Sequence, residues 1–415
     1  MRKQRKRRRS NPALIVLLIM LIGAVLYFNK FVVPPIVEVI NVEPTPTITA
    51  NPESVIQQAE QEFRQGNLYR SMELYTQAIQ IEPTNSSIYV ELARVQILSG
   101  QYEAAQTSAA NALLLSPENP AAHAVLGWAL TFIGNPIEAE QALETAIELD
   151  PNNAEAYAYY SELMTDLEDY EKAGEYSRKA LELAPDSLEA HRSRGYVLWL
   201  TANYEEAALE YQAALAINDS IADLHLSLGR VYWSLDRLDE AIDAFNLADA
   251  LNPTDPLPDT YIAQIYLNIG EYAKAIQFSQ RALEDDPSNP RRYGNLGVAY
   301  YRNLQYNDAV EVFSYAIHGG TTPENYIVQG IPLDYDVDHY FYMYGLSLAR
   351  LNRCSEAIPI FQALLSAVAG DEVAVYNANE GLNICQENIE NPPTATATDE
   401  AVDEDMVEVT ETPTP

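Results

Sequence analysis

Few side chains in this sequence have the types and spacing that catalysis or metal binding requires. Asp334, Asp336 and Asp338 alternate, as carboxylates do at the start of an EF-hand calcium loop. However, His339 stands where that loop needs glycine, and Gly345 stands where it needs glutamate. A solvated acidic loop therefore explains these residues better than calcium binding does, and we predict no other metal site.

The histidines are also poor candidates for a metal site. Three of the five share one position in a pattern that repeats every 34 residues: His123, His191 and His225. Equivalent helices in neighbouring repeats are separated by another helix, which keeps such side chains at least about 8–10 Å apart. Zinc needs its nitrogen ligands at about 2 Å. The sequence also has neither a glycine-rich phosphate loop nor a nucleophile elbow. We therefore predict that the protein is not an enzyme and binds no cofactor.

The 34-residue period organises the chain from Pro52 to Pro323. Position 8 of each repeat is always small, and position 27 is always alanine. Eight repeats begin at Pro52, Ser86, Pro120, Ala154, Leu188, Ala222, Pro256 and Pro290. Each repeat is predicted to contain two helices, because a glycine such as Gly66 at position 15 ends the first and a proline such as Pro83 follows the second. Repeats of this length cannot bury their own apolar faces, so they stack into a solenoid.

These features resemble the tetratricopeptide repeat (TPR) family. The resemblance rests on the small residue at position 8, the alanines at positions 20 and 27 and the proline at position 32. It implies an all-α fold, a right-handed superhelical solenoid of helix-turn-helix repeats whose first helices line a concave groove. It also implies a protein or peptide partner, because similar solenoids commonly assemble multiprotein complexes. Chaperone-binding relatives hold carboxylates with Lys and Asn at positions 5 and 9. The first two repeats lack that clamp, with Ile56, Glu60, Val90 and Arg94 at those positions.

The period breaks at the C-terminal end of the repeats. A ninth, divergent repeat fits residues 338–371, which leaves residues 324–337 as an insertion loop. Residues 372–389 are predicted to form a capping helix, as solenoids need for solubility. The acidic, Pro/Thr-rich residues 390–415 lack the apolar content to fold, so we expect them to be disordered.

The only two cysteines of the chain lie in this C-terminal region. Cys354 falls at the start of the second helix of the ninth repeat, and Cys385 falls near the end of the capping helix. Antiparallel packing of these two helices would bring the cysteines together. We therefore expect a disulfide if the repeats lie in an oxidising compartment, and two buried thiols are the alternative.

The N-terminal residues predict a membrane anchor. Residues 1–11 carry seven basic side chains, and a helix over residues 12–33 would be about 33 Å long, enough to cross a bilayer. A cleaved signal peptide fits less well, because the apolar run is long and no small-x-small site follows it. Basic flanks stay cytoplasmic, so we expect a single-pass signal-anchor protein with a cytoplasmic N-terminus and extracytoplasmic repeats. Residues 34–51 would form a Pro/Thr-rich linker.

The charge of the chain bears on its partners. The formal net charge is −35, but beyond the seven basic residues at the start the chain has 18 basic and 60 acidic residues, a net charge of −42. Such a surface repels phosphate groups. We therefore predict no nucleic acid partner, while the sequence leaves the oligomeric state open.

Tryptophan, tyrosine and arginine gather at the positions that the family resemblance assigns to the concave groove. These residues are Trp128, Tyr159, Arg192, Tyr196, Trp199, Arg230, Trp233, Tyr261, Arg291, Tyr301 and Arg302. The three residue types dominate binding hot spots. We predict a ligand surface centred on the fifth and sixth repeats, suited to an extended segment with apolar and acidic groups. The alternative is that some of these rings only pack between neighbouring repeats.

Three functions fit these observations. The leading hypothesis is a membrane-anchored scaffold that binds a protein or peptide segment in the groove and acts in assembly or regulation of a cell-envelope complex. One alternative is an accessory subunit of a polysaccharide or cell-envelope biosynthesis or export system. Another is a structural spacer of the envelope, which would need no clustered aromatic residues in its groove.

Overall fold

The computed structural model describes residues 51–391, which form nineteen helices and two short strands. The first helices of the nine repeats are α1 (Pro52–Arg64), α3 (Ser86–Leu98), α5 (Pro120–Ile133), α7 (Ala154–Asp166), α9 (Leu188–Leu200), α11 (Ala222–Ser234), α13 (Pro256–Asn268), α15 (Pro290–Arg302) and α17 (Asp338–Arg350). The second helices are α2 (Leu68–Ile81), α4 (Tyr102–Leu115), α6 (Pro136–Leu149), α8 (Tyr170–Leu183), α10 (Tyr204–Ile217), α12 (Leu238–Leu251), α14 (Tyr272–Asp285), α16 (Tyr306–His318) and α18 (Cys354–Ala367). The last helix, α19, spans Glu372–Glu390.

The predicted N-terminal tail, anchor and nearly all of the linker lie outside the described residues, as does the predicted acidic tail from residue 392 onward. Within residues 51–391, no helix combines the length and the apolar character needed to cross a bilayer.

Each first helix begins at position 1 of its repeat. In seven of the nine described repeats, an asparagine, serine or aspartate just before the helix accepts a hydrogen bond from a backbone N–H of the first turn. Asn153, for example, accepts from Ala156 N at 2.9 Å. Such caps satisfy donors that have no partner within the helix, so the residue at position 34 fixes where the next repeat starts.

Each first helix also ends in the same way. Position 15 has a positive φ in all nine described repeats, between 77° and 85° at the four glycines and between 59° and 62° at Glu168, Ala202, Asp236, Leu304 and Asn352. Glycine adopts this conformation without strain, whereas other residues are strained by roughly 1–2 kcal/mol. The turn between the two helices is therefore kept even where the sequence lacks glycine.

The core of each repeat depends on close approach of its two helices. A Cβ atom added to Gly229 at position 8 would lie 2.6 Å from the ring of Phe245 at position 24, and Gly297 has the same relation to Phe313. The alanines at positions 20 and 27 are almost completely buried. Large side chains at position 24 thus fill the space left by small residues at position 8, which is the physical basis of the repeat signature.

The insertion after the eighth repeat contains a short antiparallel hairpin. Strand β1 (Gly320–Thr321) pairs with strand β2 (Ile327–Val328). The predicted loop over residues 324–337 therefore includes one strand, whose partner strand precedes the predicted boundary. The hairpin forms because Thr322 N donates to Tyr326 O at 2.9 Å and closes a tight turn.

The fifth repeat contacts the first. We therefore call the first five repeats, residues 52–221, the closed turn. Asn218 Nδ2 at the end of the fifth repeat donates to Phe63 O in the first at 3.1 Å. Gly66 lies so close to Ser220 that a side chain there would clash. Across the inside of the turn, Arg94 Nη1 lies 3.4 Å from Glu155 Oε1, and Arg94 Nε lies 3.6 Å from Glu189 Oε1.

Candidate binding surface

Three of the predicted groove residues are buried inside the closed turn. Trp128 and Tyr159 have no exposed surface, and their rings stack with centroids 4.2 Å apart. The guanidinium of Arg192 lies 4.7 Å from the centre of the Trp128 ring, and its Nη2 donates to both oxygens of Glu162 at 2.5 and 2.6 Å. The expectation that Trp128, Tyr159 and Arg192 lie on an exposed groove is therefore wrong. Neighbouring inner helices pack closely here, although Trp128 and Arg192 also line a cavity inside the closed turn.

Burial changes the acid–base behaviour of two carboxyl groups in the closed turn. Burial and, to a lesser extent, the charge of Glu189 raise the pKa of Glu155 to about 7, although Arg94 opposes them. Burial likewise raises the pKa of Glu162 to about 7, against the opposing charge of Arg192. The protonation of both groups therefore depends on pH near neutrality.

Five predicted residues lie together on α9, α11 and α13 and remain partly exposed. We call Tyr196, Trp199, Arg230, Trp233 and Tyr261 the aromatic–arginine surface. The Arg230 guanidinium lies 3.9 Å from the centre of the Trp199 ring and 6.0 Å from that of Tyr261. Trp233 meets Tyr261 edge-on at 5.9 Å, and Tyr196 stacks on Trp199 at 6.3 Å.

Hydrogen bonds to neighbouring repeats hold these rings in place. Trp199 Nε1 donates to Ser234 Oγ at 3.2 Å, and the Tyr196 hydroxyl donates to Asp166 Oδ1 at 2.6 Å. Arg230, in contrast, has no carboxylate within 4.0 Å in the described part of the chain. The surface therefore combines fixed aromatic faces with a cation whose charge is not neutralised by a neighbouring acid.

The three remaining predicted residues lie on α15. Tyr301 is half-buried and packs at a tilt on Tyr306, with ring centroids 5.9 Å apart. Arg302 is exposed, and Arg291 Nη2 forms an ion pair with Asp336 Oδ2 at 3.0 Å. Among residues 51–391, none of these three forms a hydrogen bond, ion pair or ring stack with the aromatic–arginine surface.

The histidines have structural partners. His123, His191 and His225 each place Nε2 within 2.9 Å of the carbonyl oxygen six residues before it. The hydroxyls of Tyr89 and Tyr293 make the same contact from the same repeat position. Position 4 thus ties the start of each of these repeats to the turn that precedes it.

The structure does not bring the three alternating aspartates together as a calcium site. Asp334 accepts from the backbone of Asp336, Asp336 pairs with Arg291, and Asp338 is buried. Within the described residues, no group of three His, Cys, Asp or Glu side chains is arranged to hold a metal ion.

Cys354 and Cys385 form a disulfide with Cα atoms 5.3 Å apart. This is the pairing expected from the sequence, and it links α18 to α19. Both cysteines are buried in the apolar cluster of the ninth repeat. The bond therefore ties the last helix to the end of the solenoid.

The sequence analysis missed the residues that close the first turn. Arg94 and Glu162 occupy position 9 of their repeats, and Glu155 and Glu189 occupy position 2. The resemblance assigns both positions to the inner face. Opposite charges at these inner positions, in a chain with few basic residues, are the signal that could have indicated ion pairs across the turn.

The chain has a low overall similarity to several solved structures. The APC/C hetero-tetramer Cut9–Hcn1 shows 20% identity and a TM-score of 0.48, with 60% of this chain and 48% of that chain covered. A tetratricopeptide repeat protein from Parabacteroides merdae shows 18% identity and a TM-score of 0.40, with 60% and 98% covered. MamA shows 26% identity and a TM-score of 0.34, with 39% and 95% covered. This chain thus spans about half the length of the Cut9–Hcn1 chain that it matches.

Family models match most of the repeats. A model described as "Tetratricopeptide repeat" matches residues 62–129, 98–167 and 134–195. A second model of that description matches residues 194–256, and one described as "TPR repeat" matches residues 263–303. No curated protein matches the sequence. The matched ranges together cover more than half of the chain, and the protein belongs to the tetratricopeptide repeat family.

Proposed function

We propose that this protein is a membrane-anchored scaffold that binds a segment of a partner protein on the aromatic–arginine surface. TPR repeats are suited to protein–protein interaction. The observation that carries the proposal is Arg230, which lies on the Trp199 ring without a neighbouring carboxylate. Exposed aromatic rings beside an arginine are typical of binding hot spots.

The chemistry of this surface favours one kind of ligand. The partly exposed faces of Trp199, Trp233 and Tyr261 offer apolar contact, and Arg230 offers donors for a carboxylate. Because hydrogen bonds hold Trp199 and Tyr196 in place, little side-chain entropy is lost when a ligand binds. We therefore propose an extended partner segment that presents an apolar side chain next to an acidic one.

The proposed location is the outer face of a membrane. Support comes from the apolar residues 12–33, which follow seven basic residues and favour a cytoplasmic N-terminus. The disulfide between Cys354 and Cys385 also favours an oxidising compartment. A role in assembling or regulating a cell-envelope complex follows from that location.

Cross-linking in native membranes tests the binding surface. We expect the wild-type chain to capture a partner, and the double variant Trp199→Ala/Arg230→Ala to lose that capture while its thermal unfolding midpoint changes little. Tyr376→Ala is the matched control, because Tyr376 is an aromatic residue that is 69% exposed on α19. Unchanged capture by the folded double variant would show that the partner binds elsewhere.

The location is tested by protease treatment of intact cells or spheroplasts. We expect external protease to digest or release the repeats, because the basic N-terminal residues keep the opposite end of the anchor inside. Complete protection of the repeats in intact cells, with digestion after lysis, would contradict the proposed topology.

A further inference from the structure

Closure of the first turn creates a cavity of about 550 Å³ that is separate from the aromatic–arginine surface. Its lining comes from the first three repeats and from the fifth and sixth. A cavity of this size is in the range that binds small ligands or single side chains. It exists only because the first repeat approaches the fifth, and the repeat signature does not predict it.

One wall of the cavity is aromatic. Tyr102 and Phe132 stack with ring centroids 4.6 Å apart and an angle of 6° between their planes. Phe132 is 43% exposed, although it is a large apolar side chain, and Leu98 lies beside this pair. The wall therefore offers an apolar face to whatever enters the cavity.

Two carboxylates, those of Asp223 and Asp255, also contribute to the cavity. Asp223 is exposed, and Asp255 is half-buried, where it caps α13 by accepting from Leu257 N at 3.0 Å. Both also line the cavity. Burial raises the pKa of the Tyr102 hydroxyl; the charge of Asp223 adds to this effect, that of Arg192 opposes it, and that of Asp255 adds to it more weakly.

Both arginines of the cavity have acidic partners, one of which, Asp223, belongs to the cavity itself. Arg192 Nη2 is held by both oxygens of Glu162, and Arg192 Nη1 lies 3.8 Å from Asp223. Arg70 pairs with Glu73 at 2.7 Å. Together with Glu62, which also lines the cavity, the acidic groups outnumber the basic ones. The cavity is therefore an acidic site with an aromatic wall.

We infer that this cavity binds an organic cation, specifically the guanidinium or ammonium group of an Arg or Lys side chain on a partner segment. The cation would lie over the face of the Tyr102–Phe132 pair and near Asp223 and Asp255. A surface that is acidic overall attracts such a group from a distance. The proposed function requires an acidic group of the partner at Arg230, whereas this inference requires a cationic group in the cavity. The inference therefore goes beyond the proposed function.

Ligand-observed NMR titration tests the inference with defined probes. The probes are acetyl-Gly-Arg-Gly-amide, the same peptide with neutral citrulline in place of arginine, and free propylguanidine. The protein variants are the double variant Asp223→Asn/Asp255→Asn and a matched control, Asp239→Asn/Asp243→Asn, which removes two exposed carboxylates on α12. Asparagine keeps the cap of α13, so the first double variant is expected to fold.

We expect the arginine peptide to bind the wild type and the control at least tenfold more tightly than the citrulline peptide does. Asp223→Asn/Asp255→Asn should raise the Kd of the arginine peptide at least tenfold. Equal affinity for arginine and citrulline, or an unchanged Kd in the Asp223→Asn/Asp255→Asn variant, would overturn the inference. Equal affinity for propylguanidine and the arginine peptide would overturn the assignment to a side chain of a partner. Because Trp199 and Arg230 are unaltered in these variants, the result is independent of the proposed groove surface.

Discussion

The closed turn and the repeats that follow it use one repeat pattern but differ at their inner surfaces. In the closed turn, Trp128 is fully buried beside the Arg192–Glu162 pair. In the following repeats, Trp233 and Arg230 are partly exposed, and Arg230 has no acidic partner among the described residues. Small residues at positions 8, 20 and 27 determine how each repeat packs. The charged inner residues determine whether successive repeats leave a ligand surface open.

The difference shows why residue type alone did not identify the binding surface. In the closed turn, the Arg192 guanidinium packs on the Trp128 ring. Glu162 also accepts a hydrogen bond from Trp128 Nε1 at 3.1 Å. Trp199, on the last first helix of the closed turn, and Arg230 on α11 have no carboxylate partner among the described residues and keep part of their surface exposed. An inner-face carboxylate is therefore what separates a structural arginine from one that can bind a ligand.

The largest expected effect comes from removing the buried arginine. Arg192→Ala should destabilise the folded chain by about 3–5 kcal/mol, because it leaves Glu162 buried without its cation. Arg230→Ala, in contrast, should change stability by about 1 kcal/mol or less, because this arginine is partly exposed and has no ion-pair partner. Urea denaturation of both variants measures the difference. Equal destabilisation would mean that the two arginines do not have different roles.

The disulfide should stabilise only the C-terminal end of the solenoid. Reduction should cost about 3–4 kcal/mol locally, since the bond closes a loop between residues 31 apart. Repeats contact mainly their neighbours, so the loss should appear in α18 and α19 and leave the closed turn unchanged. Hydrogen exchange followed by mass spectrometry, with and without reductant, resolves the two regions. Faster exchange in both regions would contradict this separation.

The closed turn should weaken as pH rises. The pKa of Glu155 is raised from 4.5 to about 7, so the folded state binds a proton that the unfolded state has already released in this window. The contribution of protonated Glu155 to the stability of the folded state is therefore fully present below about pH 4.5 and is lost as pH rises through 7. Glu155→Gln should keep hydrogen exchange in α3 and α7 slower at pH 7 than in the wild type. Glu138→Gln, which removes an exposed carboxyl group on α6, is the control and should leave the pH dependence unchanged.

The smallest expected effect is in the turn that all the repeats share. Leu304 has a φ of 62° and a side chain that is 69% exposed, so Leu304→Gly should relieve strain without loss of packing. We expect a gain of about 0.5–1 kcal/mol. Gly100→Ala in the second repeat should have the opposite sign, because its φ is 77° and a Cβ atom there would contact nothing. Thermal unfolding of both variants checks the pair, and effects of the same sign would refute the explanation from backbone strain.

The sequence predicted the parts of the fold that depend on local contacts. Positions 8 and 24 meet within one repeat, so Gly229 and Phe245 could be interpreted from their spacing alone. The disulfide depended only on two adjacent antiparallel helices. Closure of the first turn could not be predicted in this way, because Asn218 and Phe63 are 155 residues apart. Their approach results from small rotations added over several repeats. The burial of Trp128, Tyr159 and Arg192 was missed because these inner positions were expected to be exposed, whereas the side chains pack between neighbouring repeats.

Closure of the first turn is the central claim, and a steric test at Gly66 addresses it most directly. In the closed turn a Cβ atom at Gly66 would lie 1.9 Å from Ser220 Cβ, so Gly66→Ala should destabilise the folded chain. Gly100→Ala is the matched control, because Gly100 has the same φ of 77° and a Cβ atom there would contact nothing. Urea denaturation should show a larger loss of stability for Gly66→Ala than for Gly100→Ala, and adding Ser220→Gly should recover part of the difference. Equal losses in Gly66→Ala and Gly100→Ala would contradict closure of the turn.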